Sequence, residues 1–131
     1  MEFVGFFREL DPDGPSDIYG RRLADAVGGD VTYSRAEVLT YLESGYPILD
    51  VVESTPDPLV PDLSVRGGPS LLTDGLWVWR HDLAHYVRHH GVDLPEAFLR
   101  RMDAMDHTIP DVDVDALRTF SLEVSTRLGY T

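Results

Sequence analysis

The chain reads as α+β: a small antiparallel sheet with an Asp-Gly hairpin, covered by four to five helices. Three observations carry this. Apolar β-forming runs flank Asp74-Gly75, a pairing that favours a tight two-residue turn. Apolar residues at helical spacing follow capping signals at Ser34, Asp93 and Asp111–Asp115. Strand-like and helical segments alternate without the regular period of a parallel βαβ sheet. With 131 residues, of which 43% are apolar, residues 1–131 suit a single globular domain.

Phe3–Phe7 is short and aromatic and reads as a strand. Asp11-Pro12-Asp13-Gly14-Pro15 is a turn cluster whose last proline suits a helix start. A helix through Ile18, Leu23, Ala26 and Val27 follows, stopped by Gly28-Gly29. Ser34 and Glu37 have the capping-box spacing and open a second helix that ends before Gly45. Tyr46–Val52 reads as a strand. The prolines of Ser54–Asp62 exclude helix and central strand, which makes this loop the best candidate for a partner-facing segment.

Leu71–Thr73 and Leu76–Trp79 form the two arms of the hairpin. A type I′ turn would place positive φ on Asp74 and Gly75. Leu76 and Val78 fall on one face of the outgoing strand and Trp77 and Trp79 on the other. A helix from about Arg80 to His90 stops at Gly91. Asp93 and Glu96 repeat the capping-box spacing before a helix with Phe98, Leu99 and Met102. The acids at 111, 113 and 115 open a terminal helix through Leu128.

Composition narrows the function classes. The chain has no cysteine, so disulfides and thiolate metal sites are excluded. It has 23 acids against 11 bases, a formal net charge of −12. That field disfavours nucleic acid and anionic membrane and favours a basic protein partner. The early acid in MEFVGFFREL argues against a signal peptide, and no apolar run suits a membrane helix. A cytoplasmic location is therefore expected. Every base is arginine, and lysine, asparagine and glutamine are absent, a usage that points to a GC-rich genome.

No catalytic or cofactor motif is complete. Asp111, Asp113 and Asp115 start like a calcium loop, but Ala116 and Leu122 stand where it needs glycine and glutamate. Ser70 and Thr73 lie outside any nucleophile elbow. Two readings remain open. In the first, Asp57, Asp62, Asp74 and Asp82 are acidic contacts and Trp77 an anchor for a basic partner. In the second, His81, His85 and His89 recur at helical spacing beside Asp82 and hold zinc, as a metal-binding module or a metal-dependent hydrolase.

The run LLTDGLWVWRHDLAHYVRHHGVDLPEAFL (71–99), with Glu37–Ile48 before it, resembles a layout of small bacterial proteins, chiefly actinobacterial, many of them grouped with immunity proteins of polymorphic toxin systems. The shared features are Thr-Asp-Gly, an aromatic strand ending in Trp79, Asp82-Leu83 with Tyr86-Val87, and Leu94-Pro95 with Phe98. The chain departs from the layout at His85, where a second tyrosine is expected. The resemblance implies a non-enzymatic protein that neutralises a basic partner, and it transfers no catalytic residue.

Overall fold

In the computed structural model, residues 1–130 are described. Six strands and five α-helices follow in the order β1 (Glu2–Val4), α1 (Leu23–Ala26), α2 (Arg35–Glu43), β2 (Tyr46–Leu49), β3 (Ser54–Pro56), β4 (Ser64–Arg66), β5 (Leu71–Thr73), β6 (Trp77–Arg80), α3 (Leu83–His90), α4 (Glu96–Ala104) and α5 (Val114–Arg127). The fold is α+β. No helix among the described residues is long and apolar enough to cross a membrane.

The main sheet has the order β1-β6-β5-β2. Strands β2, β5 and β6 are antiparallel. The expected all-antiparallel sheet needs one correction: β1 joins β6 in parallel, with Val4 opposite Trp79. A parallel neighbour requires a long crossover, and the many residues between β1 and β6 supply it. A separate two-stranded sheet pairs β3 with β4. The prolines of Ser54–Asp62 predict a loop here, and the short strand pair forms apart from the main sheet.

Strand β6 is buried on both faces. Trp77 and Trp79 point into one layer with Tyr41, Leu83, Tyr86, Phe98 and Met102. Val78 points into the other with Phe6, Tyr19, Leu71, Val124 and Leu128. Phe98 sits among three aromatic rings, with centroids 5.3 Å from Trp77, 5.8 Å from Trp79 and 6.0 Å from Tyr41. The Trp79 indole N–H donates to the Leu42 carbonyl at 3.1 Å. A side chain on Gly45 would collide with the Trp79 ring, so the β2 entrance needs glycine here.

This two-layer arrangement explains the shortened first helix. Ile18 and Tyr19 belong to one core layer, whereas Leu23 and Ala26 belong to the other. One helical face cannot serve both sides of a sheet. The chain makes a turn on Pro15, breaks near Gly20 and forms only Leu23–Ala26 as helix. The Glu9 carboxylate accepts from the Leu23 and Ala24 N–H groups and caps it. Burial opposes ionisation of Glu9, but these backbone bonds outweigh it and lower its pKa.

Other termini follow the sequence closely. Ser34 accepts from the Glu37 N–H, Asp113 accepts from the Ala116 N–H, and Gly91 ends α3 in the left-handed region at φ 56°. The capping box at Asp93 does not form. Pro95 takes the N-cap position, and Asp93 instead pairs with Arg21 at 2.9 Å. In the β5–β6 connection, positive φ falls on Gly75 (97°) and not on Asp74. The Asp74 side chain supplies the missing constraint, accepting from the Leu76 and Trp77 N–H groups.

Candidate functional site: an anchored hairpin over the histidine helix

Strands β3 and β4 carry a tip, Asp57–Leu63, that inverts the usual distribution of side chains. Among the described residues 54–66, Asp57 alone is buried, at 0% exposure. The apolar side chains face outward: Leu59 and Val60 are each 38% exposed and Leu63 is 40% exposed. Pro58, Pro61 and Asp62 are exposed beside them. A buried carboxylate beneath an exposed apolar patch is more informative than either feature alone.

Asp57 is held from two directions. Its Oδ2 lies 2.8 Å from His85 Nε2 and 2.7 Å from His90 Nε2. Its Oδ1 accepts from the backbone N–H groups of Leu59 (2.8 Å) and Val60 (3.2 Å). The first pair ties the hairpin to α3; the second folds the tip around its own anchor. Burial opposes ionisation, but the bonds from His90, His85 and the Leu59 N–H outweigh it and hold the carboxyl at about 2. The Asp57 N–H donates to the Leu63 carbonyl and closes the tip.

Helix α3 aims the two imidazoles. Leu83, Tyr86 and Val87 form its buried face, and His90 continues that face one turn beyond Tyr86. The Tyr86 ring stacks on His90 at 6.0 Å and meets His85 edge-on at 5.0 Å. Tyr86 is fully buried, and its hydroxyl has no hydrogen-bond partner among the described residues. Burial first, then the Asp82 and Asp57 charges, push that phenol upward.

A second polar network secures the hairpin at its base. Arg80 donates from Nε and Nη2 to the two Asp82 carboxylate oxygens, at 3.0 and 2.8 Å. Its remaining contacts go to the Tyr19 hydroxyl at 3.1 Å and to Thr55 Oγ1, on β3, at 3.3 Å. Burial works against the Arg80 charge, but Asp82 and Tyr19 outweigh it and raise its pKa. Gly68 lets the chain pass between Thr55 and Asp82, where any Cβ would clash.

The expected contact residues therefore sort unevenly. Asp62 is exposed on the tip. Asp57 is on the hairpin but faces inward. Asp74 is fully buried and shared by Tyr41, Arg101 and the turn backbone. Asp82 is consumed by Arg80. Trp77 is core, packed on Phe98. None of these last four offers its side chain to a partner on this surface.

The histidine stripe also divides. His81 lies exposed ahead of α3, because β6 runs on to Arg80 and helix begins only at Leu83. His89 is exposed, its ring 4.6 Å from that of His85. The donors that converge belong to Asp57, His85 and His90, all within 4.8 Å of one another. Sequence reasoning missed His90 as a partner of Asp57. Its signal was present: Leu83, Tyr86, Val87 and His90 share one helical face. The pairing with Asp57 had none, because the two lie in different elements.

The two hydroxyls weighed as nucleophiles, Ser70 and Thr73, are already engaged. Ser70 Oγ exchanges hydrogen bonds with the Val51 backbone, and Thr73 Oγ1 donates to the Trp77 carbonyl. Ser70 and His81 line a cavity of about 240 Å³ with Asp50 and Arg66, but nothing there aligns a nucleophile with a base. Comparison with known proteins finds no matching family, relative or solved structure.

Proposed function

We propose that this chain is a non-enzymatic, immunity-like protein-binding module of the cytoplasm. Its docking element is the Asp57–Leu63 tip, and its partner is a basic protein. The observation that carries the reading is the inversion on the hairpin: an acid turned inward as an anchor, with Leu59, Val60 and Leu63 turned out. An anchored tip loses little conformational entropy on binding, so more of its contact energy appears as affinity. Asp62 on the tip and Asp50 and Glu53 at its foot are exposed. With the net charge of −12, they favour encounter with a basic surface.

The test places a photo-crosslinking residue at Val60 in one protein and at Leu122, an exposed apolar site on α5, in another. Both are expressed in the source cells. A basic protein captured at position 60 and not at 122 is expected. Against that purified partner, the double variant Leu59→Ser, Leu63→Ser should bind at least tenfold more weakly, while Val114→Ser, Leu122→Ser binds as wild type. Equal affinity for the tip variant contradicts the reading.

A further inference from the structure

We infer that Asp57, His85 and His90 form a site for one divalent zinc ion, which clamps the β3–β4 hairpin onto α3. The inference goes beyond the protein-binding reading and stands whether or not a partner docks on the tip. Two imidazoles and one carboxylate make up the three-ligand zinc set that leaves a fourth position to water. Here the three donors already converge, with both Nε2 atoms against a single carboxylate oxygen.

The surroundings suit a cation. The carboxylate is wholly buried, whereas the His85 and His90 side chains keep 13% and 16% exposure, so an ion can reach them from one side. The second oxygen of Asp57 is fixed by two backbone N–H groups, the kind of outer support that orients a metal ligand. The Tyr86 ring touches both imidazoles and limits their rotation. The one buried arginine among the described residues, Arg80, is neutralised by its bidentate contact with Asp82.

The two histidine-to-carboxylate separations ask for little rearrangement. Bonds of about 2.0–2.1 Å in tetrahedral geometry separate ligand atoms by roughly 3.3 Å. The observed separations of 2.7 and 2.8 Å must open by about half an ångström. Zinc displaces the Nε2 protons that face Asp57 in the ion-free site, and each imidazole then binds through Nε2 and keeps its remaining proton on Nδ1. Calcium and magnesium prefer all-oxygen shells, so the nitrogen donors select zinc against them.

The experiment titrates zinc chloride into untagged, chelator-treated full-length protein by calorimetry, with native mass spectrometry on the same sample. One zinc per chain, a Kd in the micromolar range or tighter, and no competition from excess magnesium are expected. His90→Ala and Asp57→Asn should each weaken binding at least tenfold, and His81→Ala should leave it unchanged. A wild-type readout covers variants that fail to fold: saturating zinc should raise Tm by several degrees and slow amide exchange at Leu59 and Val60. Absence of zinc uptake by folded wild type overturns the inference. So does a zinc ion lost on His81→Ala but retained in His90→Ala.

Discussion

The Trp77/Trp79 core and the β3–β4 hairpin are held together by opposite means. Around Phe98, aromatic and aliphatic side chains from α2, α3, α4 and β6 exclude water from one another. In the hairpin, the only fully buried side chain among the described residues 54–66 is a carboxylate. Its attachment is polar and local: Asp57 to two histidines and Thr55 to Arg80. The first arrangement resists change because burial of apolar area is additive over many contacts. The second is set by a few directional bonds and can be removed by one atom. The comparison teaches that stability and presentation are assigned to different parts of this molecule.

The largest effects should come from the core side. Phe98→Ala removes a ring that touches three others and should cost about 3–5 kcal/mol in chemical denaturation. Arg80→Ala leaves the buried Asp82 carboxylate without its partner and should cost a similar ~3–5 kcal/mol. Arg80 is also the link between the two regions, so its loss should loosen the hairpin. If either variant melts like wild type, the assigned packing is wrong.

A smaller, pH-dependent effect belongs to the anchor. Asp57 has its carboxyl lowered from 3.8 to about 2. A depressed carboxylate stabilises the fold above its unfolded value and loses that contribution as pH falls through its folded value. The contribution is about 2 kcal/mol, fully present above about pH 4 and lost between there and about pH 2. Stability followed by denaturant at a series of acidic pH values should show this slope, and Asp57→Asn should flatten it. An unchanged slope in the variant means that the histidines do not hold this carboxylate in solution.

The smallest effect on stability is expected at the tip. Leu59→Ser and Leu63→Ser alter side chains already open to water, so each should stay within about 0.5 kcal/mol of wild type. The same changes should weaken partner binding at least tenfold. A marked loss of stability from either would mean that these side chains pack inward and that the inversion is not real.

The two regions also differed in how far the sequence revealed them. The core was legible because its signals are local. Alternation around Val78, the capping pattern at Ser34 and the glycine at 91 each act within a few residues. The hairpin was legible only in part. Prolines at 56, 58 and 61 marked a segment outside the main sheet and hid its short strands. Which acids face inward depends on contacts that composition does not show: Asp74 and Asp57 meet partners distant in the chain, Tyr41 with Arg101 and His85 with His90, while Asp82 pairs with Arg80 two residues away and the fold buries both. A net charge read from composition cannot tell a solvated acid from a buried one. The parallel placement of β1 was hidden for the same reason, since strand pairing across most of the chain leaves no local mark.

Amide hydrogen exchange on the hairpin tests the central claim most directly. The Leu59 and Val60 N–H groups should be protected in wild type, because they donate to Asp57 Oδ1. In Asp57→Ala, which removes that acceptor, protection should fall at least tenfold while the amides of β6 remain as slow as before. Tip amides that exchange at unfolded-chain rates in wild type, or that ignore the substitution, would contradict an anchored, presented hairpin.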